Sequence, residues 1–348
     1  MTRSSTHRGW IRRHAPALLG ALVAACGGGS GSDEAAQPVP EGAHPLKQPP
    51  PNVVGSFAID VPPFTLAPGD EKMPCTIFPL VIDGPSRVVG GAKLTVGRGM
   101  HHGNITTRKK TGEGVRTCPN ETGDDVVGSE AVDIIGGGAV LFGSSTQFAG
   151  EEWQSFPEGV GYRLKEGYEV VARMHYLNAT AAPLTVAPRY EWYTIDETKL
   201  THEIAPFAWV YKELAIPPKS ELTVTSAACT FTNPMNVVMV LPHMHKFGTG
   251  FHAAFAGGPR DGQHFLDSKG YDPDNGVMTQ YSPAIDLSQH GADGAGATFS
   301  CSWRNPLDKG LVWGVGDNEM CVMYGYAYPP SAAYSVLASA QGCIVALP

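Results

Sequence analysis

The chain has 348 residues and a hydrophobic share of 42%, enough to bury a large core and to form two domains. A formal net charge of -8 leaves no basic footprint, which excludes nucleic acid as a partner. With 42 Gly, 29 Pro and few long helical periodicities, the composition points to short strands joined by turns.

Arg3, Arg8, Arg12 and Arg13 precede an apolar run from Ala15 to Ala25, the layout of an export signal. Val23, Ala24, Ala25 and Cys26 look like a bacterial lipobox. The expectation is a signal peptide over 1–26, lipidation of Cys26, and an exported protein of the cell envelope held to a membrane by its lipid alone. Residues 27–51, rich in Gly, Ser, Ala and Pro, read as a flexible tether.

From Val53 onward, short apolar or alternating runs at 57–61, 76–82, 87–89 and 92–96 are separated by Pro and Gly turns, as in a sandwich or jelly roll. The last run leads into Met100, His101 and His102. Adjacent histidines on a regular strand face opposite ways, so a shared metal requires a bend or bulge, which the neighbouring glycines permit. Residues 108–150 read as loops around Cys118 with two short strands. A strand from Tyr168 follows, with His175 at its end.

Another strand covers 183–193, and the polar stretch 196–200 reads as a domain boundary. The predicted organisation is all-β, two tandem antiparallel sandwiches over 52–196 and 197–348. In the second, runs at 208–211, 221–225, 237–243, 251–255 and 297–301 are expected strands, and 257–296 a long loop bordering a substrate site. Alternation sends His243 and His245 to one face of a strand end. There two imidazoles form a half-site suited to copper or zinc rather than magnesium or calcium.

Besides Cys26, the cysteines are Cys75, Cys118, Cys229, Cys301, Cys321 and Cys343, an even number that suggests disulfides in an exported chain. If bridges stay within domains, Cys75 pairs with Cys118 and the other four pair among themselves.

Met100-His101-His102, Met174-His175-Tyr176, His243-Met244-His245 followed by Gly248, and Asp317-Asn318-Glu319-Met320-Cys321 together resemble a known family. It is that of the copper type II, ascorbate-dependent monooxygenases, which include peptidylglycine alpha-hydroxylating monooxygenase and dopamine beta-monooxygenase. The pieces occur in that family's order, between about residues 53 and 330.

The resemblance implies two copper ions per chain. His101, His102 and His175 would hold an electron-storing copper, and His243, His245 and Met320 the copper at which oxygen is activated. A thioether beside two imidazoles favours Cu(I), in keeping with that assignment. The resemblance also implies bridges Cys301–Cys321 and Cys229–Cys343, and hydroxylation of a C–H bond by dioxygen with ascorbate or an equivalent electron donor. The peptide-hydroxylating members carry an arginine where this chain has Leu241 and an asparagine where it has Val322, while their tyrosine is kept as Tyr324. A small apolar or aromatic substrate bordered by Tyr324 is therefore expected in place of a peptidylglycine.

The rival reading is a non-catalytic copper-binding or copper-delivery lipoprotein, which would use the same ligands without needing two unlike sites. A zinc hydrolase would need a carboxylate base at metal-site spacing, such as His-Glu-x-x-His, and none is present. A purely structural or adhesive lipoprotein predicts no tightly held metal.

Overall fold

A computed structural model describes residues 41–119, 133, 138–145, 147–231, 235–271, 278–287, 295–314, 316–333 and 336–337. Cys26, Cys343 and the expected signal peptide lie outside the described residues. One compact unit, Gln37–Pro348, contains all of the sheets.

Alternation places the core. Along Arg189–Ile195, Tyr190, Trp192 and Thr194 are buried, while Arg189, Glu191 and Tyr193 stay accessible. Glu191 meets Lys93 of the neighbouring strand at 2.9 Å, so the outer face is polar and paired. Inside, Trp192 stacks on Phe57 with ring centroids 4.7 Å apart. Each such ring contributes roughly 1.5–3 kcal/mol through burial.

The first half is built from two large sheets and a small one, Phe64–Leu66 with Leu184–Val186, so the strand expected over 183–193 is divided between two sheets. One large sheet runs Val53–Asp60, Arg189–Ile195, Val88–Val96, Val160–Arg163 and His202–Glu203, with Gly150–Ser155 also on Val88–Val96. The other runs Arg116–Thr117, Cys75–Pro79, Tyr168–Leu177, Met100–Lys109 and Val140–Gly143, with Glu71–Lys72 also on Tyr168–Leu177. The second half repeats the plan. Ala205–Tyr211, Cys321–Tyr328, Asn236–His243 and Thr279–Asp286 form one sheet; His264–Ser268, Gly248–Ala256, Ala295–Trp303, Thr223–Phe231 and Val336–Leu337 form the other. Trp209, Phe251, Phe299 and Trp303 fill the space between them. The all-β sandwich architecture is as expected, with neighbouring strands antiparallel apart from Val160–Arg163 beside His202–Glu203.

The halves pack through sheet faces turned away from their own cores. In Asn236–His243 a register irregularity between Val237 and Met239 sends both Val238 and Met239 outward, where with Leu241 and Tyr326 they join the first half's apolar cluster. Tyr326 donates to the carbonyl of Val140 at 3.1 Å and stacks on Tyr162, centroids 5.8 Å apart.

Two expectations are corrected. Residues 257–296 do not form one long loop: His264–Ser268 and Thr279–Asp286 lie within it as strands at sheet edges. Edge strands carry polar residues and even proline, which weakens the alternation that a sequence reader follows. The tether also ends earlier than residue 51. Ala43 exchanges backbone bonds with Gln280, His44 bonds the Met278 carbonyl at 3.1 Å, and Pro50 is buried against Gly90 and Gly91. No helix among the described residues is long and apolar enough to cross a membrane.

Candidate metal centre

His175 pairs with His102 across adjacent strands, yet Tyr176 pairs with Met100, so His101 is the additional residue of a bulge. Gly99 just before it has φ 99°, a backbone that glycine adopts without a Cβ clash. The expected bulge is therefore present, and it turns both adjacent histidines toward His175, with ring centroids 4.6 Å and 4.9 Å from it. One ring nitrogen from each of the three lies within 4.8 Å of the others.

Glu71 fixes the tautomer of His175. The ring's Nε2–H donates to Glu71 Oε1 at 2.7 Å, which leaves Nδ1 as the lone-pair nitrogen, 3.2 Å from His102 Nε2. Glu71 arrives through the short Glu71–Lys72 strand, where it pairs with Leu177. In sequence it reads as one more charge in a polar turn, and nothing there marks the role.

The second group stands on the outward face of the opposing sheet. Leu241 pairs with Tyr324 and His243 with Val322, so Leu241 and His243 share a face with Tyr324 and Val322. Continued by alternation, that face includes Met320, which is buried against Val210, Val322 and Tyr324. His245 lies two residues beyond His243. Its Nδ1–H donates to the Asn318 carbonyl at 2.8 Å, again leaving Nε2 as the lone-pair nitrogen.

Glu319 holds this turn in place. Its carboxylate accepts from the backbone N–H of His245 and of Phe247, each at 2.9 Å, and from Trp303 Nε1–H at 3.0 Å. Burial raises its pKa to about 7 against the pull of those donors. The residue sits inside the Asp317 to Cys321 motif, and a carboxylate between two residues of interest was a signal that the sequence offered. Cys321, next to Met320, is bridged to Cys301 with a Cα separation of 6.0 Å. The Cys75–Cys118 bridge is also present. Cys229 is disulfide-bonded, and Cys343, its expected partner, lies outside the described residues.

The two groups meet. His101 and His245 have ring centroids 5.3 Å apart, His102 and His243 5.2 Å, and His243 and His245 5.2 Å. All five predicted histidines thus belong to one cluster at the junction of the halves. Burial, the largest cause at each, pushes all five pKa values down, that of His243 to about 3, and the neighbouring rings add to the effect at His101, His102 and His243. Neutral imidazole is the form that ligates metal.

His101 Nδ1 and His245 Nε2 are buried without a hydrogen-bond partner. Buried polar atoms are nearly always satisfied, and ions held by these nitrogens would satisfy them. The donor set, imidazoles with a thioether on the same face, fits a borderline or soft ion.

A cavity lies further along the strands that carry His102 and His243, and none of the five histidines lines it. Leu241, Tyr324, Asn104, Gly143 and Gln154 are among its lining residues, which come from both halves. Tyr324, expected to border a substrate, lines it, and so does Leu241, which stands where the resembled peptide-hydroxylating enzymes carry an arginine. Elsewhere His252, His264 and Asp267 gather on the surface, where both histidine Nδ1 atoms bond one Asp267 oxygen, at 2.5 Å and 2.7 Å. Those bonds account for that grouping without an ion.

No protein-family model matches the chain, and no curated protein matches it. Among solved structures, one titled "Crystal Structure of the STIV MCP" is similar over 78% of this chain and 96% of its own, with 6% identity and a TM-score of 0.34, too distant a likeness to bear on function.

Proposed function

We propose that the chain is a copper-dependent monooxygenase that hydroxylates a C–H bond of a small, largely apolar substrate with dioxygen and a reductant such as ascorbate. The observation that carries this reading is the convergence of two histidine groups from strands far apart in sequence, on strands that also line an apolar cavity. The ordered resemblance of the four sequence motifs to copper type II monooxygenases supports the choice of metal and reaction.

In this reading His101, His102 and His175 hold one ion, and His243, His245 and Met320 hold the other. Copper, when bound, supplies the one-electron exchange with dioxygen that side chains cannot perform. Glu71 and the Asn318 carbonyl keep the lone pairs of His175 and His245 turned away from themselves and available. The buried surroundings keep the imidazoles neutral and exclude bulk water. Leu241 and Tyr324 wall the place where a substrate would lie, with no charged side chain to bind a carboxylate. The overall balance converts a C–H bond, O₂, two electrons and two protons into C–OH and water, the electrons coming from the donor. Attachment to a membrane through Cys26, on the exported side, belongs to the same proposal.

A copper-delivery protein would use the same ligands, but it needs neither an apolar cavity on the same strands nor a cluster in which four of the five histidines are buried. The test is oxygen uptake by the copper-loaded chain with ascorbate and a panel of small aromatic substrates, with product identified by mass. The proposal expects uptake matched by hydroxylated product, and its loss in Met320→Ala while copper stays at the other group. Copper binding with no uptake on any substrate supports the delivery reading instead.

A further inference from the structure

We infer that the cavity selects a small neutral aromatic molecule whose head group both donates and accepts a hydrogen bond, a carboxamide or a phenol, and that Gln154 is the residue that reads this head group. The inference rests on the monooxygenase proposal only for what then happens to the ligand; the binding is argued from the cavity itself.

Gln154 lines the cavity, is fully buried, and neither its Oε1 nor its Nε2 has a hydrogen-bond partner. Native interiors rarely leave both ends of an amide unsatisfied, because an unpaired buried polar group has lost its water and gained nothing in return. The other polar walls are committed. Thr106 donates to Asp133 at 2.9 Å and accepts from Arg173 at 3.0 Å, and Asn104 is engaged within the protein. An amide presents one acceptor and a pair of donors side by side, so its natural complement is a group with both capacities. No charged side chain lines the cavity, so a carboxylate or ammonium would be buried unpaired, which is strongly disfavoured.

The remaining lining favours a ring. Met239 and Met278 offer thioethers, and Phe207, Tyr324 and Tyr326 offer aromatic surface. The position relative to the histidines follows from alternation. Leu241 is two residues before His243 and Asn104 two after His102, so the cavity lies one strand repeat, roughly 7 Å, from both groups along the same two faces.

The test is isothermal titration calorimetry on the metal-free full chain with benzamide, phenol, benzene and benzoate. Benzamide and phenol are expected to bind at least tenfold more tightly than benzene, with no binding of benzoate. Gln154→Met, close in volume but without the amide, is expected to weaken benzamide at least tenfold while leaving benzene unchanged or improved. Equal affinity for benzamide and benzene, unchanged benzamide affinity in Gln154→Met, or no binding of any probe overturns the inference. If Gln154→Met does not fold, Ala208→Leu narrows the cavity from its other wall with the amide intact. Loss of benzamide binding is then expected, and retention counts against the inference. Because binding is read without copper, the two proposals fail separately. A chain that binds benzamide but takes up no oxygen ends only the monooxygenase reading. One that hydroxylates other substrates and ignores benzamide ends only this one.

Discussion

His101 and His245, which are 144 positions apart in the chain, have ring centroids 5.3 Å apart, and each carries a buried nitrogen with no hydrogen-bond partner. The contact joins the first-half group to the second. Ions held by the two groups are then close neighbours, and two paramagnetic Cu(II) ions at that range interact strongly. Electron paramagnetic resonance of the fully oxidised, doubly loaded chain should show a dipolar-broadened spectrum. His245→Ala should restore the narrow spectrum of an isolated ion. A doubly loaded chain with two undisturbed single-ion spectra would mean that the groups work at a distance.

Glu71 positions His175 through a single 2.7 Å contact. Partners of this kind typically change metal affinity by about 10–100-fold. Glu71→Ala should weaken one ion of the pair by that factor, measured by competition with a chelator. Glu71→Gln, which still accepts the Nε2–H bond, should recover much of the loss. Equal, unweakened affinity in both variants would leave Glu71 without a role at the metal.

Glu319 accepts three N–H groups in a buried place. Glu319→Ala leaves them unpaired and should cost roughly 3–5 kcal/mol in urea unfolding of the metal-free chain. Loosening the turn that carries His245 should also lower affinity at the second group. A loss below about 1 kcal/mol would contradict this account of the turn.

Glu152 gives a pH dependence with a definite sign. It is buried, accepts from the Ser145 N–H at 2.9 Å and from the Ser145 hydroxyl, and burial raises its pKa from 4.5 to about 7. A raised folded-state pKa means that the native state holds the proton more tightly than the unfolded chain. Its contribution is therefore complete below pH 4.5 and is lost as the pH rises through about 7. Relative to the wild type, Glu152→Gln should become more stable with rising pH across that window, by on the order of 1–3 kcal/mol in total. A constant difference between the two from pH 4.5 to 7 would contradict the shift.

Much of the arrangement could be read from the chain because strands encode faces locally. The alternation towards His243, the bulge needed at His101 and His102, and the motif around His175 are short-range patterns, and these four histidines lie on strands, whereas His245 and Met320 lie just beyond strand ends. Glu71, Glu319 and Gln154 were not found in the same way. Each acts on a partner from another part of the fold, and a lone polar residue carries no periodicity that reveals such a partner. The meeting of the two histidine groups was equally hidden, because it depends on how outward sheet faces pack, with Val238, Met239 and Tyr326 serving a core that is not their own. The strands His264–Ser268 and Thr279–Asp286 escaped because edge positions tolerate the Asp, Ser and Pro that usually mark loops.

The most direct test of the central claim is copper per chain in the reductively loaded protein, measured beside His175→Ala and His243→Ala. The account predicts two coppers in the unmutated chain and one in each variant. One copper or none in the unmutated chain, or two retained in either variant, would contradict it.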